Sequence, residues 1–194
     1  MGQLVQAKGG ALAAGQRTGL PSASKKDEAP TQYLTFALGG EMFAVGILHV
    51  KEIIEYGNLT EIPMMPAFIR GVINLRGAVV PVIDLAARFG GKPTEVGRRT
   101  CIVIVEVPDG DTRHDIGIMV DAVSEVLEIP GSEIEPPPSF GAKIRADFIF
   151  GMGKVAGKFV IILEITKVLS VEEIAQLTGS EPATPGIPAL EGSA

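Results

Sequence analysis

The sequence of 194 residues has no tryptophan, one cysteine and two histidines. Aromatic residues make up only 5% of the chain, whereas apolar residues make up 46%. The core must therefore be aliphatic, and its β-branched valines and isoleucines favour strands. Because Cys101 has no second cysteine to pair with, an internal disulfide is excluded, which is compatible with a reducing compartment.

Other absences exclude functional classes. No apolar run approaches the roughly 20 residues of a membrane helix, so we expect no direct membrane insertion. The net charge of −6 argues against nucleic acid, which selects basic surfaces. His49 and His114 stand in no zinc-ligand spacing, and no serine lies in a nucleophile elbow. The glycine-rich segment 151–158 lacks the Ser or Thr of a phosphate loop. We therefore expect no catalytic residue, no metal and no cofactor.

Strand patterns occupy the middle of the chain. Residues 1–30 and 180–194 show no core pattern and are expected to be flexible tails around one folded domain, residues 31–179. Alternation and turn signals predict strands at 32–38, 41–46, 69–75, 78–85, 100–107, 116–120, 123–129, 148–153 and 158–165. Mixed spacing after Ile47 predicts a helical turn leading into a strand. Ser170 opens a capping box for a short C-terminal helix near Leu177, with Gly179 as its stop.

An internal repeat organises these strands. GVINLRGAVVPVIDL, residues 71–85, aligns without a gap with GMGKVAGKFVIILEI, residues 151–165, and residues 50–53 match residues 123–126. The repeat unit is roughly 75 to 80 residues long, which is the size of a small barrel. A mainly β fold of two barrels with about five strands each is therefore predicted. Small barrels fill their interiors with side chains, which places the functional surface outside or between the barrels.

One residue breaks the repeat. Arg76 aligns with Ala156, although a residue needed by the barrel should recur in both copies. We interpret Arg76 as an interface residue, with an exposed turn arginine paired to a nearby glutamate as the open alternative. Asp84 and Glu164 align at two strand ends, which favours a shared structural role, such as a turn or cap, over acid–base catalysis.

The motifs resemble those of the CheW family, the coupling proteins of bacterial chemotaxis, from about Thr31 to Leu177. They are Val50-x-Glu52-Ile53, Phe68-Ile69-x-Gly71, Asn74-Leu75-Arg76-Gly77, Pro81-Val82-Ile83-Asp84-Leu85, the run 116–121 and Phe148-Ile149-x-Gly151. The resemblance implies two five-stranded, SH3-like barrels in pseudo-twofold relation. It also implies a non-catalytic cytoplasmic scaffold that joins the tips of methyl-accepting chemoreceptors to the regulatory domain of the histidine kinase CheA.

The resemblance also implies roles for individual residues. Receptor binding carries over to the positions Ile47, Leu48, Glu52, Arg76, Ile116 and Gly117. Kinase contact carries over to Val50 and Gly71. An apolar groove with one glutamate and one arginine would suit a receptor helix hairpin, because aliphatic side chains give burial and the charges fix the register.

Three alternatives remain open at this point. The first is a CheW-like adaptor of a non-flagellar pathway, with pili or another output. The second is a piece of a larger signalling protein, since CheW-like domains also occur in CheA kinases and fused to receiver domains; the chain's own Met1 and its lack of ATP-binding motifs favour a free-standing protein. The third is an enzyme of unknown type, for which the sequence shows no catalytic constellation.

Overall fold

A computed structural model describes residues 30–138 and 144–177 of the chain. The expected tails, apart from Pro30, and the expected helix stop at Gly179 lie outside these residues. Their boundaries therefore stay predictions.

The described residues are mainly β, as predicted. The strands are β1 (Thr31–Leu38), β2 (Glu41–Gly46), β3 (Val50–Glu55), β4 (Ile69–Leu75), β5 (Ala78–Asp84), β6 (Cys101–Asp109), β7 (Thr112–Val120), β8 (Ala122–Ile129), β9 (Ile134–Glu135), β10 (Ile149–Val155) and β11 (Lys158–Leu163). Short helices are α1 (Leu85–Arg88), α2 (Ile165–Val168) and α3 (Val171–Leu177). The helical turn predicted after Ile47 is a 3-10 turn, Ile47–His49, that leads directly into β3.

The strands form two sheets that correspond to the two predicted barrels. The first barrel has the order β3-β6-β7-β5-β4, and the second has the order β8-β1-β2-β11-β10-β9. The hairpin β1-β2 belongs to the second barrel. Strands β3 to β7 then form the first barrel, and β8 to β11 complete the second. Each barrel contains one pair of parallel strands, β5 with β7 in the first and β11 with β2 in the second. The second sheet contains a sixth strand, the two-residue β9.

The aligned segments adopt the same backbone. Both hairpins, β4-β5 and β10-β11, shift register at a glycine, before Gly71 and before Gly151. Both end in a two-residue turn whose central φ angles are positive: 53° and 90° at Arg76 and Gly77, 48° and 77° at Ala156 and Gly157. Positive φ at both positions defines the type I′ turn, whose twist matches that of paired strands. The repeat is therefore structural as well as sequential.

The main core lies between the barrels. It joins side chains of the second barrel, such as Phe36 and Phe43, to side chains of the first, such as Val105 and Ile118. Smaller, mostly aliphatic clusters fill each barrel interior. The prediction of an aliphatic core holds inside the barrels, whereas phenylalanine rings gather between them, with Phe43 and Phe89 centroids 5.9 Å apart. This shared core fixes the two barrels as one unit.

Helices α1 and α2 correct the predicted strands 78–85 and 158–165, because Leu85 and Ile165 begin helices. Asp84 is the N-cap of α1 and accepts a hydrogen bond from the Ala87 amide at 3.2 Å. Its carboxylate also accepts from the Thr94 amide at 2.7 Å and the Thr94 hydroxyl at 3.0 Å. Glu164 occupies the equivalent position before α2, but its longer side chain accepts from the Thr166 hydroxyl at 2.6 Å and makes no cap. Asp84 therefore has the predicted capping role, whereas Glu164 makes only a local hydrogen bond.

Candidate functional site

The tip of the β4-β5 hairpin carries an exposed ion pair. Arg76 Nη2 lies 2.9 Å from Glu52 Oε2 on β3, and the arginine side chain is 80% exposed while the glutamate is 25% exposed. The turn beneath is tied by the Gly77 amide, which donates to Asn74 Oδ1 at 2.8 Å. The alternative of a turn arginine paired to a glutamate describes this geometry correctly. Because exposed pairs contribute little to folding, the pair leaves Arg76 available to a partner.

The equivalent tip of the second barrel has no such pair. Ala156 replaces the arginine, and Glu125, the residue aligned with Glu52, is exposed on β8. Lys154 instead lies 3.9 Å from Glu135 and 5.9 Å from the centre of the Phe159 ring. The two tips therefore present different charges on the same backbone.

Four of the predicted contact residues follow one another along the chain into β3. Leu48, in the 3-10 turn, is 92% exposed. Ile47 and Val50 are half-buried and pack against the core between the barrels. Glu52 comes two residues later and pairs with Arg76. An exposed apolar side chain and a charged pair thus lie on one segment, anchored by two residues that reach the core.

Ile116 and Gly117 are both buried, so neither offers much surface for direct contact with a partner. Ile116 is 4% exposed and belongs to the main core, although it borders a surface groove. Gly117 is buried, and a Cβ atom there would lie 2.7 Å from Ile102 Cγ2 and 3.2 Å from Val82 Cγ2. Gly117 thus allows the strands of the first barrel to pack closely. A receptor role for these two positions stays a prediction. The groove beside Ile116 is the surface through which they could act.

Gly71 has an equally clear local role. Its φ is 144°, and a Cβ atom would lie 2.2 Å from the carbonyl oxygen of Thr60, which pairs with Val72 across an isolated bridge. Only glycine permits this approach without movement of the backbone. Kinase contact at Gly71 stays a prediction and would involve the backbone surface around it.

The groove beside Ile116 contains a charge cluster that the sequence did not predict. It has a volume of about 400 Å³ and lies between Val79 of the β4-β5 hairpin and the helix α3. Lys51 Nζ lies 2.8 Å from Asp115 and 3.3 Å from Glu106. The Arg113 guanidinium lies 2.6 Å from Glu106. Only the register of β3, β6 and β7 brings these residues together, so no spacing in the sequence could have shown the cluster.

These contacts shift two pKa values. Hydrogen bonds to Asp115 and then Glu106 raise the pKa of Lys51 above its ordinary value. Hydrogen bonds from Arg113 and then Lys51 lower the pKa of Glu106 below its ordinary value. Both shifts favour the charged forms of Lys51 and Glu106.

The described part of the chain adds two findings on other classes. Residues 30–138 and 144–177 contain no cluster of three or more His, Cys, Asp or Glu side chains that could hold a metal ion. No helix within these residues is both long and apolar enough to cross a membrane.

The fold and the site define a two-barrel β protein with an exposed charge pair at one hairpin tip and an open groove beside it. Residues 32–173 match the family model described as CheW-like domain. The chain belongs to this family, which confirms the resemblance seen in its motifs.

Relatives cover most of the chain. It is 35% identical over 144 residues to the chemotaxis protein CheW of Klebsiella aerogenes, covering 74% of this chain and 84% of that protein. It is 30% identical over 141 residues to the protein FrzA of Myxococcus xanthus, covering 71% of this chain and 84% of that protein. Among solved structures, the scaffolding protein TtCheW of Thermoanaerobacter tengcongensis matches with a TM-score of 0.65 and 35% identity, over 74% of this chain and 90% of that one.

Proposed function

We propose that the protein is a non-catalytic scaffold that joins the cytoplasmic tips of methyl-accepting chemoreceptors to the regulatory domain of the histidine kinase CheA. It acts in the cytoplasm, at membrane receptor arrays. Family membership and relatives described as chemotaxis and scaffolding proteins support this role. The single observation that carries the site is the Arg76–Glu52 pair, which one barrel has and its structural repeat lacks.

The receptor binds at the first barrel. Leu48 offers an exposed aliphatic contact, and the Arg76–Glu52 pair fixes the orientation of a charged helix hairpin laid across it. Ile47 is half-buried and gives this surface a firm base. Ile116 borders the groove that extends the surface, while Gly117 holds the strand beneath it in place.

The kinase binds the same barrel at two other positions. Val50 and Gly71 lie on β3 and β4, the two outer strands of the first sheet. Val50 is half-buried, and Gly71 is buried and keeps the backbone around Thr60 in place. Contacts here are therefore aliphatic and backbone in character, unlike the charged receptor contact.

Co-sedimentation tests the proposal. Receptor-containing membranes and CheA from the same cell are centrifuged with and without this protein, and the kinase in the pellet is measured. We expect CheA in the pellet only when the protein is present. Arg76→Ala should strongly reduce this effect, whereas Lys154→Ala, at the equivalent tip of the second barrel, should not.

Circular dichroism of both variants controls for folding. An unfolded Arg76→Ala protein would remove the basis for the site. Kinase recruitment that does not depend on the wild-type protein would refute the coupling role itself.

A second candidate is the same coupling role in a non-flagellar pathway. The similarity to the protein FrzA of Myxococcus xanthus is compatible with this candidate. Deletion of the gene in its host separates the two: loss of swimming chemotaxis supports a flagellar output, and a defect confined to surface movement supports the alternative.

A further inference from the structure

Helix α3 lies at the groove of the first barrel. Val171 and Ile174, one turn apart on the helix, line this groove together with Ile116 and Val79. Both helix residues are half-buried and pack against the core between the barrels. The helix therefore forms one wall of the groove, and the shape of the groove depends on α3 staying docked.

A buried arginine lies beneath α3, where the two barrels meet. The Arg88 side chain is 6% exposed. Its Nε donates to the carbonyl of Val168 at 3.1 Å, and its guanidinium lies 5.4 Å from the Phe68 ring and 5.0 Å from the Phe148 ring. Phe68 leads into the first barrel and Phe148 into the second. A cation buried between aromatic rings needs a carboxylate, because its loss of hydration is otherwise uncompensated.

Glu173 of α3 supplies that carboxylate. Its Oε2 lies 3.1 Å from Arg88 Nη2, which is an ion-pair contact without hydrogen-bond geometry. Its Oε1 pairs with Arg145, whose guanidinium lies 4.5 Å from the centre of the same Phe148 ring. Arg145 is held in turn by Asp147 at 2.6 Å. One carboxylate on α3 thus connects two arginines that both contact Phe148.

This use of Glu173 departs from what its position favours. Ser170 and Glu173 form the spacing of a capping box, in which the glutamate returns to the amide of the capping residue. The serine half is present, because Ser170 Oγ accepts from the Glu173 amide at 3.4 Å. The Glu173 carboxylate instead pairs with the two arginines, so the side chain ties the helix to the rest of the protein.

We propose that α3 is a latch, held by Glu173 between Arg88 and Arg145, that closes one wall of the first-barrel groove and links it to the contact between the barrels. Release of the latch moves Val171 and Ile174 away from the groove and opens it. Only the consequence for receptor binding rests on the proposed function, since the latch itself is a property of the folded chain.

Amide hydrogen exchange measured by mass spectrometry tests the latch on the full chain. Glu173→Gln keeps the shape of the side chain and removes its charge, and Glu172→Gln makes the same change at the exposed neighbouring position. We expect exchange over residues 171–177 to become about tenfold faster in Glu173→Gln and to change less than twofold in Glu172→Gln. Exchange in β6 should stay within twofold in both variants.

Two results would overturn the latch: equal exchange of α3 in the two variants, or faster exchange throughout the protein in Glu173→Gln. Co-sedimentation then tests the link to the groove, where Glu173→Gln should reduce CheA recruitment several-fold and Glu172→Gln should not. Recruitment unchanged in Glu173→Gln would refute that link. Failure of the proposed function would appear separately, as wild-type protein that recruits no kinase.

Discussion

The β4-β5 hairpin of the first barrel and the β10-β11 hairpin of the second share a register, a shift at a glycine and a turn with two positive φ angles. They differ at the tip, where Arg76 pairs with Glu52 in one barrel and Ala156 leaves Glu125 exposed in the other. The features that both hairpins keep are those of the backbone. The features that differ are exposed side chains at the tip, whose contribution to folding is small.

The comparison separates two kinds of residue within a single chain. The glycines at the register shift are required by close contacts with neighbouring backbone, which occur in both barrels. The exposed tip residues are not constrained by packing, so a binding partner can determine their identity. A test of the comparison therefore changes equivalent positions in the two barrels and asks whether the effect falls on stability or on binding.

The largest effect is expected at the paired glycines. In Gly71→Ala the new methyl would meet the Thr60 carbonyl oxygen at 2.2 Å with φ at 144°, so backbone must move. In Gly151→Ala the first obstacle, at 2.5 Å, is Cγ2 of the Ile134 side chain. We expect about 3–4 kcal/mol of lost unfolding free energy for Gly71→Ala and about 1–2 kcal/mol for Gly151→Ala. Urea denaturation measures both, and equal losses would contradict this reading of the two sites.

The aligned carboxylates Asp84 and Glu164 should differ next. Asp84 is fully buried and accepts three hydrogen bonds, two of them from Thr94. Asp84→Ala removes the acceptor oxygens of all three bonds and leaves buried donors unpaired, which should cost about 2–4 kcal/mol. Glu164→Ala removes one bond to a hydroxyl that can turn to water, which should cost less than about 1 kcal/mol. Thermal unfolding of the two variants would show the asymmetry; a larger loss at Glu164 would contradict it.

Sequence reasoning reached the repeated parts of this fold well. The hairpins around Arg76 and Ala156 were predictable because the gap-free alignment doubled the evidence for each strand and turn. Helices α1 and α2 were missed, since four residues carry too little periodicity to distinguish a helical turn from the end of an apolar strand. The place of β1 and β2 in the second barrel was also out of reach, because pairing between distant strands leaves no local pattern.

The candidate site was predictable in part. The break in the repeat singled out Arg76, and its pairing with a glutamate was one of two interpretations that the sequence supported. The depth of Ile116 and Gly117 was not predictable, because both lie on a strand buried by the two barrels together. Lys51 and its charged partners come from three strands, and the latch residue Glu173 resembled an ordinary capping glutamate.

Binding should separate the two tips where stability does not. Arg76→Ala gives the first tip the residue that the second tip already carries in the same backbone conformation, so unfolding free energy should change by less than about 1 kcal/mol. Receptor affinity should fall about tenfold, because in the proposed role this charge fixes the docking register. Lys154→Ala should leave affinity unchanged. Titration of receptor-containing membranes with each variant measures the two affinities. Equal affinities of Arg76→Ala and Lys154→Ala would contradict a role of Arg76 in the site.

The exchanged double variant sharpens this result. Arg76→Glu combined with Glu52→Arg keeps an ion pair within the protein while reversing the charges that a receptor meets. We expect it to fold normally and to bind no better than Arg76→Ala. Restored binding would mean that the pair acts within the barrel and not on the receptor.

The smallest effect is expected at the groove cluster, where Lys51 aligns with Ser124 of the second barrel. Glu106 has a pKa lowered from 4.5, so its contribution to stability is present above that value and is lost as the pH falls through its folded pKa. Lys51 has a pKa raised from 10.5, so its contribution is present below that value and is lost as the pH rises through its folded pKa. Both contributions are therefore complete between about pH 4.5 and 10.5.

Lys51→Ser makes the first barrel match the second and removes one of the two cations that hold Glu106 ionised. The pKa of Glu106 should then rise toward its ordinary value without reaching it, because Arg113 is the larger cause of the shift. The exposed position of the cluster keeps the change in stability small. Carboxyl chemical shifts followed by NMR titration would measure the pKa, with Ser124→Lys as the matched change in the other barrel. A Glu106 pKa unchanged by Lys51→Ser would show that Arg113 alone sets it.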